Sequence, residues 1–330
     1  MNTTRPLITV FGATGAQGGH TARALLAQRA FDGAQDRRWR VRAVTRRPQS
    51  QAALALAALG AEIVHADLDD APSVQRAMHG AFGAFCVTDF WSHHDPRREL
   101  EQARNLADAC AEAHVEHVIW STLEDTRQLI PADGRVMPVL QGHYNVPHMD
   151  AKGEANERFF ERRLAVTLLL TSFYWDNLID RGMGPQRGAD GALVWVLPMG
   201  DVPLPGIAAC DIGHCAAALF DQPPAQRRVG IAGEHLSGAQ MAALMSEVFG
   251  ERVHHVAMPP ADFARLPFPG AADLANMFAY KQHANAALRE ARSVDAARSL
   301  HPGLLDFRGW LALNGKRIPV PPMLRVSATV

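Results

Sequence analysis

The sequence predicts an α/β protein with a Rossmann-type, doubly wound parallel sheet and a smaller α+β C-terminal lobe. In the first half, short apolar runs alternate with helical stretches, which is typical of a parallel sheet covered by helices. A glycine-rich turn joins the first apolar run to the first helix, and beyond about residue 180 the composition shifts to proline and glycine. We therefore expect a nucleotide-binding domain over 1–180 and an interleaved lobe over 181–330, which binds a substrate or partner.

The elements of the first half follow from their apolar periods. We predict strands at 7–12, 40–45, 61–66, 83–88, 117–122 and 166–171. We predict helices at 16–30, 48–59, 71–79, 96–114 and 149–163, and in the lobe a strand at 192–197 and helices at 211–220, 237–249 and 271–281. Right-handed crossovers then put a ligand crevice at the carboxyl ends of the strands, with 123–147 as a loop over it.

Composition excludes several classes of function. The 330 residues carry a formal net charge of −1, which gives no electrostatic reason for direct binding to nucleic acid or to an anionic membrane. No apolar run reaches the roughly 20 residues needed to span a bilayer, and residues 1–6 do not resemble a signal peptide. We expect a cytoplasmic protein.

Cysteine and histidine spacing gives no metal site. The four cysteines lack CxxC spacing and are expected to be buried reduced thiols, although Cys86 on the fourth strand also admits a redox role. The pairs at 93–94 and 254–255 have no third ligand at a helpful spacing. The cysteines are Cys86, Cys110, Cys210 and Cys215.

The segment "VFGATGAQGGH" places Gly12, Gly15 and Gly18 in GxxGxxG spacing between a strand and a helix. Glycine at these positions permits a tight turn, close approach of a pyrophosphate, and close packing of helix on strand. The free N–H groups and the positive end of the helix favour a phosphate. The sequence therefore predicts a dinucleotide site.

The end of the second strand bears on the choice of dinucleotide. Arg46 and Arg47 stand where NAD-binding folds commonly carry a carboxylate, and an arginine there can pair with the 2′-phosphate of NADP. We favour NADP(H) over NAD(H), the alternative being that both arginines are only solvated. Asp67 after the third strand is expected beside the adenine, or else as a helix cap.

With these residues, the chain resembles the NmrA-like family of atypical short-chain dehydrogenase/reductase relatives, and within it the HSCARG-like branch. The resemblance covers nearly the whole chain, including the lobe. It is carried by "GATGAQGG", "VTRRP", "AFCVTDFW", "DAKGEANERFF", "FYWDNL", "GDVPLPG" and "FPGAADLANMF".

The resemblance implies an NADP(H)-binding protein whose better-known members are redox sensors or regulators that act through partner proteins, with a homodimer suggested. It departs at Ser50, where the branch has a further basic residue, so Arg47 is the expected substitute. The cofactor contacts it implies are Gly12, Thr14, Gly15, Ala16, Gln17, Gly18, Arg46, Asp67, Thr88, Asp89, Phe90, Lys152, Tyr174, Trp175, Asp176 and Asn177.

The segment "VPHMDAKGE" lacks the usual catalytic tyrosine. Ordinary short-chain dehydrogenases carry Tyr-x-x-x-Lys on one helical face, where the lysine lowers the phenol pKa. Here Lys152 is present, but His148 stands four residues before it, and Tyr144 lies beyond Pro147.

Each polar residue of this region has more than one interpretation. Lys152 binds the nicotinamide ribose or is a solvated helix residue. His148 protonates a developing alkoxide, lines the pocket or caps the helix. Ser121 and Thr122, after the fifth strand, polarise a carbonyl or simply end the strand.

Two functions of different classes follow. The first is a redox-sensing regulatory protein in which a partner responds to the state of the bound cofactor. The second is an NADPH-dependent reductase of a quinone, an enal or another small carbonyl compound, with Lys152 orienting the cofactor and His148 or water donating the proton. The missing tyrosine favours the first.

Overall fold

The computed structural model describes residues 5–28, 38–188 and 190–321. Within these ranges lie thirteen strands. They are β1 (Leu7–Val10), β2 (Arg40–Thr45), β3 (Glu62–His65), β4 (Gly83–Cys86), β5 (His117–Thr122), β6 (Val166–Leu170), β7 (Phe173–Tyr174), β8 (Gln186–Arg187), β9 (Leu193–Val196), β10 (Leu204–Ile207), β11 (Arg227–Gly230), β12 (Glu234–Leu236) and β13 (Val253–Val256).

The same ranges contain the α-helices that cover these strands. They are α1 (Ala16–Ala27), α2 (Gln51–Ala58), α3 (Ala71–Met78), α4 (Pro96–Glu112), α5 (Pro147–Glu161), α6 (Asn177–Asp180), α7 (Ala209–Leu219), α8 (Gly238–Phe249), α9 (Pro260–Phe263), α10 (Ala271–His283), α11 (Asn285–Glu290), α12 (Val294–Leu300) and α13 (Phe307–Asn314). Short 3₁₀ turns occur at Phe90–Ser92, Thr126–Gln128 and Gly315–Arg317.

Seven strands form one parallel sheet in the order β3-β2-β1-β4-β5-β6-β11. Leu25 of α1 and Ile212 of α7 pack on one face, whereas Val74 of α3, Leu106 of α4 and Phe159 of α5 pack on the other. Helices on both faces explain why the central strands read as continuous apolar runs. The predicted Rossmann-type, doubly wound fold is confirmed.

The C-terminal half adds two small sheets, in the orders β12-β10-β7 and β13-β9-β8. Their core is aromatic, with Trp175, Trp195, Phe278 and Trp310 all buried in one cluster. The chain also returns to the large sheet, where β11 pairs with β6 as the seventh strand. The division near residue 180 stays a prediction.

Several local predictions differ from the structure, at β11 and at the ends of α5 and α1 among others. The strand β11 was missed because "RRVG" has no apolar alternation to reveal it. Helix α5 begins at Pro147 rather than 149, since proline is well suited to the first turn of a helix and does not interrupt it there. Helix α1 ends at Ala27, and residues 29–30 of its predicted span lie outside the described residues.

Candidate functional site

The turn from β1 to α1 requires glycine at two positions. Gly12 has φ +61, and a Cβ there would lie 2.8 Å from Val87 Cγ1. A Cβ on Gly18 would lie 2.4 Å from the carbonyl oxygen of Gly12 and 2.5 Å from that of Phe11. Because these obstacles are backbone atoms, any side chain at 18 would push α1 away from β1.

The N-terminus of α1 is open to a ligand. Gly15 is the N-cap, no side chain caps the helix, and the first turn contains no acidic residue. Gly12, Gly15 and Ala16 are exposed at this turn. Free N–H groups at the positive end of a helix dipole form a site for a phosphate group.

Gln17 ties this loop to the ends of β5 and β7. Its Nε2 donates to Tyr174 Oη at 2.5 Å, and its Oε1 accepts from Ser121 Oγ at 2.7 Å. Thr171 Oγ1 lies 3.2 Å from the same phenol oxygen. Burial raises the pKa of Tyr174 to about 12. The hydroxyl of Ser121, considered above for carbonyl polarisation, is therefore committed to Gln17.

Two arginines lie just past the end of β2. Arg46 and Arg47 are exposed, and among residues 5–28, 38–188 and 190–321 neither guanidinium has an ion-pair partner. Thr45 contacts Thr14 of the glycine loop, with 3.2 Å between the hydroxyl oxygens, so the two segments are adjacent. Ser50 stands where the HSCARG-like branch has a basic residue. It caps α2 by accepting from the N–H of Ala53 at 3.3 Å, so the serine has a structural role here.

Asp67 closes a short turn after β3. Oδ1 of Asp67 accepts from the N–H of Asp69 at 3.1 Å, and the backbone N–H of Asp67 donates to Ser73 Oγ at 3.0 Å. The N-cap of α3 is Asp70, so Asp67 is not the helix cap. The adenine contact stays a prediction.

Lys152 is held by two residues. Its Nζ donates to Thr88 O at 3.2 Å and to Thr88 Oγ1 at 2.5 Å, and lies 2.6 Å from Glu99 Oε1. Two of the three N–H donors of this ammonium are hydrogen-bonded to Thr88, and its charge is paired with Glu99. The ring of Trp120 lies below it, 5.4 Å from Nζ to the centroid. Lys152 is therefore engaged by the turn after β4 and by α4.

Glu99 is the counter-ion of Lys152 and is fully buried. Thr88 donates its hydroxyl to the same carboxylate, and His93 Nε2 lies 3.3 Å from Glu99 Oε2. Burial raises the pKa of Glu99, but the charge of Lys152 and the contacts with His93 and Thr88 lower it to about 2. The Glu99 carboxyl group is therefore ionised throughout the physiological range.

His148 is paired with Asp273, the third residue of α10. The backbone N–H of His148 donates to Oδ2 at 3.1 Å, and its Nδ1 lies 2.5 Å from Oδ1. The imidazole packs against Trp91 and Phe90, with ring centroids 4.7 and 6.1 Å away. A carboxylate on Nδ1 fixes the orientation of the imidazole ring, and Nε2 is then the ring nitrogen that faces away from this carboxylate. The pair therefore joins α5 to the C-terminal half.

The predicted contacts at 174–177 divide into two groups. Tyr174 joins the glycine loop through Gln17, whereas Trp175 is buried against Trp310 in the lobe core. Asp176 accepts from the N–H of Ala209 at the start of α7. Asn177 begins α6. Tyr174 therefore lies at the crevice, whereas Trp175 and Asp176 have structural roles.

The remaining predicted contacts follow β4. Thr88 is buried beneath Lys152, Asp89 is exposed, and Phe90 is buried against His148. These residues link the carboxyl end of the sheet to α5, so a ligand in the crevice would contact the same segment that holds Lys152.

Sequence reasoning missed Glu99 and Asp273. Glu99 stands at helical spacing with the buried Ala103, Leu106 and Cys110, so a carboxylate on the apolar stripe of α4 was an available signal. Asp273 lies 125 residues from His148, and no local pattern connects the two.

Two kinds of feature are absent from the described residues. In that part of the chain, no group of His, Cys, Asp or Glu is arranged to hold a metal ion, and no helix is both long and apolar enough to cross a membrane. The four cysteines are free thiols, three of them buried and Cys210 partly exposed.

Comparisons with known proteins address the family. The model of the NmrA-like family matches residues 4–311. The NmrA-like family domain-containing oxidoreductase notA′ of Aspergillus versicolor is 41% identical over 131 residues, covering 38% of this chain and 34% of that protein. The alignment thus spans about a third of that relative. FrzB of Cladobotryum sp, which carries the same description, is 28% identical over 302 residues, covering 84% of each chain.

Among solved structures, the negative transcriptional regulator NmrA superposes with a TM-score of 0.75 at 22% identity, covering 95% of this chain and 98% of that one. Other structures of that regulator hold NAD or NADP. At this identity the superposition establishes the shared fold, and the bound cofactors agree with the one that the sequence predicts.

Proposed function

Because the chain belongs to the NmrA-like family, we propose that it binds NADP(H) at the glycine loop and acts as a redox-sensing regulatory protein rather than as an ordinary dehydrogenase. The exposed glycine turn suits the pyrophosphate, and the exposed Arg46 and Arg47 suit a 2′-phosphate. NADPH, when bound, would supply a hydride.

The observation that carries this proposal is the engagement of Lys152 by Thr88 and Glu99. In an ordinary dehydrogenase the corresponding ammonium acts on a tyrosine, but here it is held by Glu99 and Thr88. Tyr144, the nearest tyrosine, precedes α5 and pairs with Leu140. The elements of tyrosine-lysine proton transfer are therefore not assembled.

A regulatory protein also needs a path from the cofactor to a surface that a partner can bind. The segment Thr88–Phe90 supplies it, since Thr88 contacts Lys152 and Phe90 contacts His148. His148 in turn bonds Asp273 at the start of α10. A change at the end of β4 would thus be transmitted to the C-terminal half, provided that the two conformers differ in cofactor affinity.

Hydrogen exchange tests this path. The full chain would be compared alone, with NADPH and with NADP⁺, and we expect the two redox states to protect α10 to different extents. Asp273→Asn should keep cofactor binding but remove that difference. The surface variant Arg97→Gln is a matched control. Equal protection in both redox states would overturn the proposal.

A second candidate is an NADPH-dependent reductase of a quinone, an enal or another small carbonyl compound. The pairing of His148 with Asp273 favours it, because an aspartate on Nδ1 orients an imidazole and stabilises its protonated form. His148 would then donate the proton to the substrate oxygen. The relatives described as oxidoreductases agree with this candidate.

Turnover distinguishes the two candidates. NADPH oxidation would be followed at protein concentrations near that of the cofactor, against quinones, enals and aldehydes, with binding measured by fluorescence. Oxidation that His148→Gln abolishes while NADPH still binds would establish the reductase. Tight binding without oxidation of any compound would leave the regulatory proposal.

A further inference from the structure

Arg292 lies between α11 and α12 and joins the carboxyl ends of two central strands. Its guanidinium meets Glu124 with both arms, Nη2 donating to Oε2 at 2.8 Å. Its Nε donates to Thr171 O at 2.9 Å. Glu124 follows β5 and Thr171 follows β6, and these strands are neighbours in the sheet. Arg292 therefore fixes the ends of β5 and β6 relative to each other.

The shape and the burial of Arg292 make this contact rigid. A guanidinium is planar, so the carboxylate and the carbonyl group that it bonds are held in one fixed arrangement. Arg292 is 2% exposed and the side chain of Glu124 is 14% exposed, so water competes little for these bonds. The spacing between the two strand ends is therefore set by a residue of the C-terminal half.

The same two strand ends hold Gln17 of the glycine loop. Ser121, on β5, donates its hydroxyl to Gln17 Oε1 at 2.7 Å. Tyr174 Oη accepts from Gln17 Nε2 at 2.5 Å and lies 3.2 Å from Thr171 Oγ1. Both polar atoms of the Gln17 carboxamide are thus bonded, one to β5 and the other to the segment that follows β6.

Gln17 carries these constraints to the place where a cofactor would bind. It is the second residue of α1, in the turn whose N–H groups are free for a phosphate. Bonds at both polar atoms of its side chain fix this first turn relative to the edge of the sheet. A change in the spacing between the ends of β5 and β6 would therefore move the N–H groups that face the pyrophosphate.

The backbone around Arg292 is in turn fixed to the C-terminal half. His235 Nε2, on β12, lies 2.8 Å from Arg292 O. Ser293 pairs with Ile231, just past β11, in an isolated bridge. A displacement of the C-terminal half would therefore move the guanidinium that joins β5 to β6.

We propose that Arg292 is a positioning residue for NADP(H), which couples the placement of segment 291–293 to the affinity of the glycine loop for the cofactor. The coupling converges on Gln17, because both strand ends that Arg292 joins are bonded to that side chain. The inference rests on the cofactor binding proposed above, and it is separate from the path through Thr88 and His148. Because coupling is reciprocal, cofactor binding should also stabilise segment 291–293.

A double-mutant cycle tests this coupling, with NADP⁺ affinity of the full chain measured by calorimetry. Arg292→Lys keeps a positive charge beside Glu124, but a compact ammonium cannot reproduce the planar fork that also bonds Thr171. We expect it to weaken NADP⁺ binding about tenfold. Gln17→Ala should also weaken binding. The double variant should bind no more weakly than the weaker single variant, because both changes interrupt one chain of contacts.

Arg187, on β8 in the C-terminal half, provides a matched control. Its guanidinium also meets a glutamate, Glu251, with both arms, at 2.6 and 2.8 Å. Its Nε likewise donates to a backbone carbonyl, that of Pro321, at 2.7 Å. Arg187→Lys should therefore disturb the same kind of contact and leave NADP⁺ affinity unchanged. Thermal unfolding would show that each variant is folded.

Hydrogen exchange gives a measurement that needs no Arg292 variant, so it stands even if Arg292→Lys does not fold. Saturating NADP⁺ should slow exchange at the amides of 291–293 in the wild-type protein but not in Gln17→Ala.

Three results would overturn the coupling while leaving cofactor binding in place. They are an unchanged NADP⁺ affinity in folded Arg292→Lys, losses that multiply in the double variant, and equal exchange at 291–293 with and without NADP⁺. A wild-type protein that does not bind NADP⁺ would instead overturn cofactor binding itself, and this inference with it.

Discussion

Lys152 shows how one missing side chain changes the task of another. With no phenol four residues earlier, the ammonium stabilises the turn after β4 through Thr88 and Glu99. A buried ion pair contributes little beyond an apolar pair of equal size, but breaking it is costly because one charge remains unpaired. The stability of the protein is therefore expected to fall when Glu99, the partner of Lys152, is replaced.

We predict that Glu99→Gln destabilises the protein by about 3 kcal/mol, since it leaves Lys152 buried without a counter-ion. Urea unfolding at pH 7 measures the change. The double variant Glu99→Gln/Lys152→Met should be more stable than the single variant. A single variant as stable as wild type would show that the pair is not a structural requirement.

The same pair predicts a pH dependence. Because the folded pKa of Glu99 is about 2, below its ordinary 4.5, its contribution is complete above about pH 4.5 and is lost as the pH falls toward 2. The stability difference between wild type and Glu99→Gln should therefore shrink across this window. A constant difference from pH 6 to pH 3 would contradict the ionised pair.

Arg46 allows a test of cofactor choice at one residue. We expect Arg46→Gln to weaken NADPH binding about tenfold and to leave NADH binding nearly unchanged, because only NADPH has a 2′-phosphate for it to pair with. Fluorescence titration with each cofactor measures this. Arg135→Gln, at a position 88% exposed, is the control. Equal loss for both cofactors would assign Arg46 another role.

At the scale of elements, α5 and the preceding segment 123–146 form one unit. Asp150 is fully buried in the first turn of α5. Its Oδ1 accepts from the N–H and hydroxyl of Thr126, and its Oδ2 from the N–H groups of Asn145 and Val146. A Cβ on Gly153 would lie 2.2 Å from the nitrogen of Asp125, so the helix packs directly on this segment.

Asp150→Asn should loosen this segment. Each carboxylate oxygen of Asp150 accepts from two donors. In asparagine an NH₂ group replaces one of these oxygens, and this NH₂ would face either the N–H and hydroxyl of Thr126 or the N–H groups of Asn145 and Val146. We expect a loss of about 2 kcal/mol in unfolding free energy and faster hydrogen exchange over 125–146. Asp133→Asn, on the exposed part of the segment, is the control. Unchanged exchange would refute this role.

The elements that the sequence predicted are those with a local signal. The apolar runs of β1 to β6 and the glycines at 12, 15 and 18 depend on neighbours along the chain, so pattern and turn chemistry reveal them. Glu124 finds Arg292 across 168 residues, and His148 finds Asp273 across 125. Only the packing of α10 and the segment before α12 on the sheet edge creates those pairs.

At the scale of the whole molecule, the C-terminal half completes the large sheet. A Cβ on Gly230 of β11 would lie 1.7 Å from the carbonyl oxygen of Ala291. A Cβ on Gly213 of α7 would lie 2.4 Å from the carbonyl carbon of His20 in α1. These close backbone approaches bind the two halves of the chain together at the sheet edge and at the first helix.

Gly230→Ala should therefore act far beyond its own strand. The added methyl group would displace Ala291 and with it Arg292, whose bonds to Glu124 and Thr171 would weaken. We expect a loss of about 3 kcal/mol or more in unfolding free energy, measured by urea unfolding. Arg228→Ala, an exposed residue on the same strand, should cost little. Similar stabilities for the two variants would contradict tight docking.

The position of β11 also constrains how the chain can fold during synthesis. The first six strands leave the ribosome before β11, and until about residue 230 has emerged, β6 is an open edge with unpaired N–H and C=O groups. At roughly 5–20 residues per second, the 56 residues between β6 and β11 keep that edge exposed for several seconds. A nascent chain of this protein therefore passes through an interval in which it can pair with another strand before its own arrives.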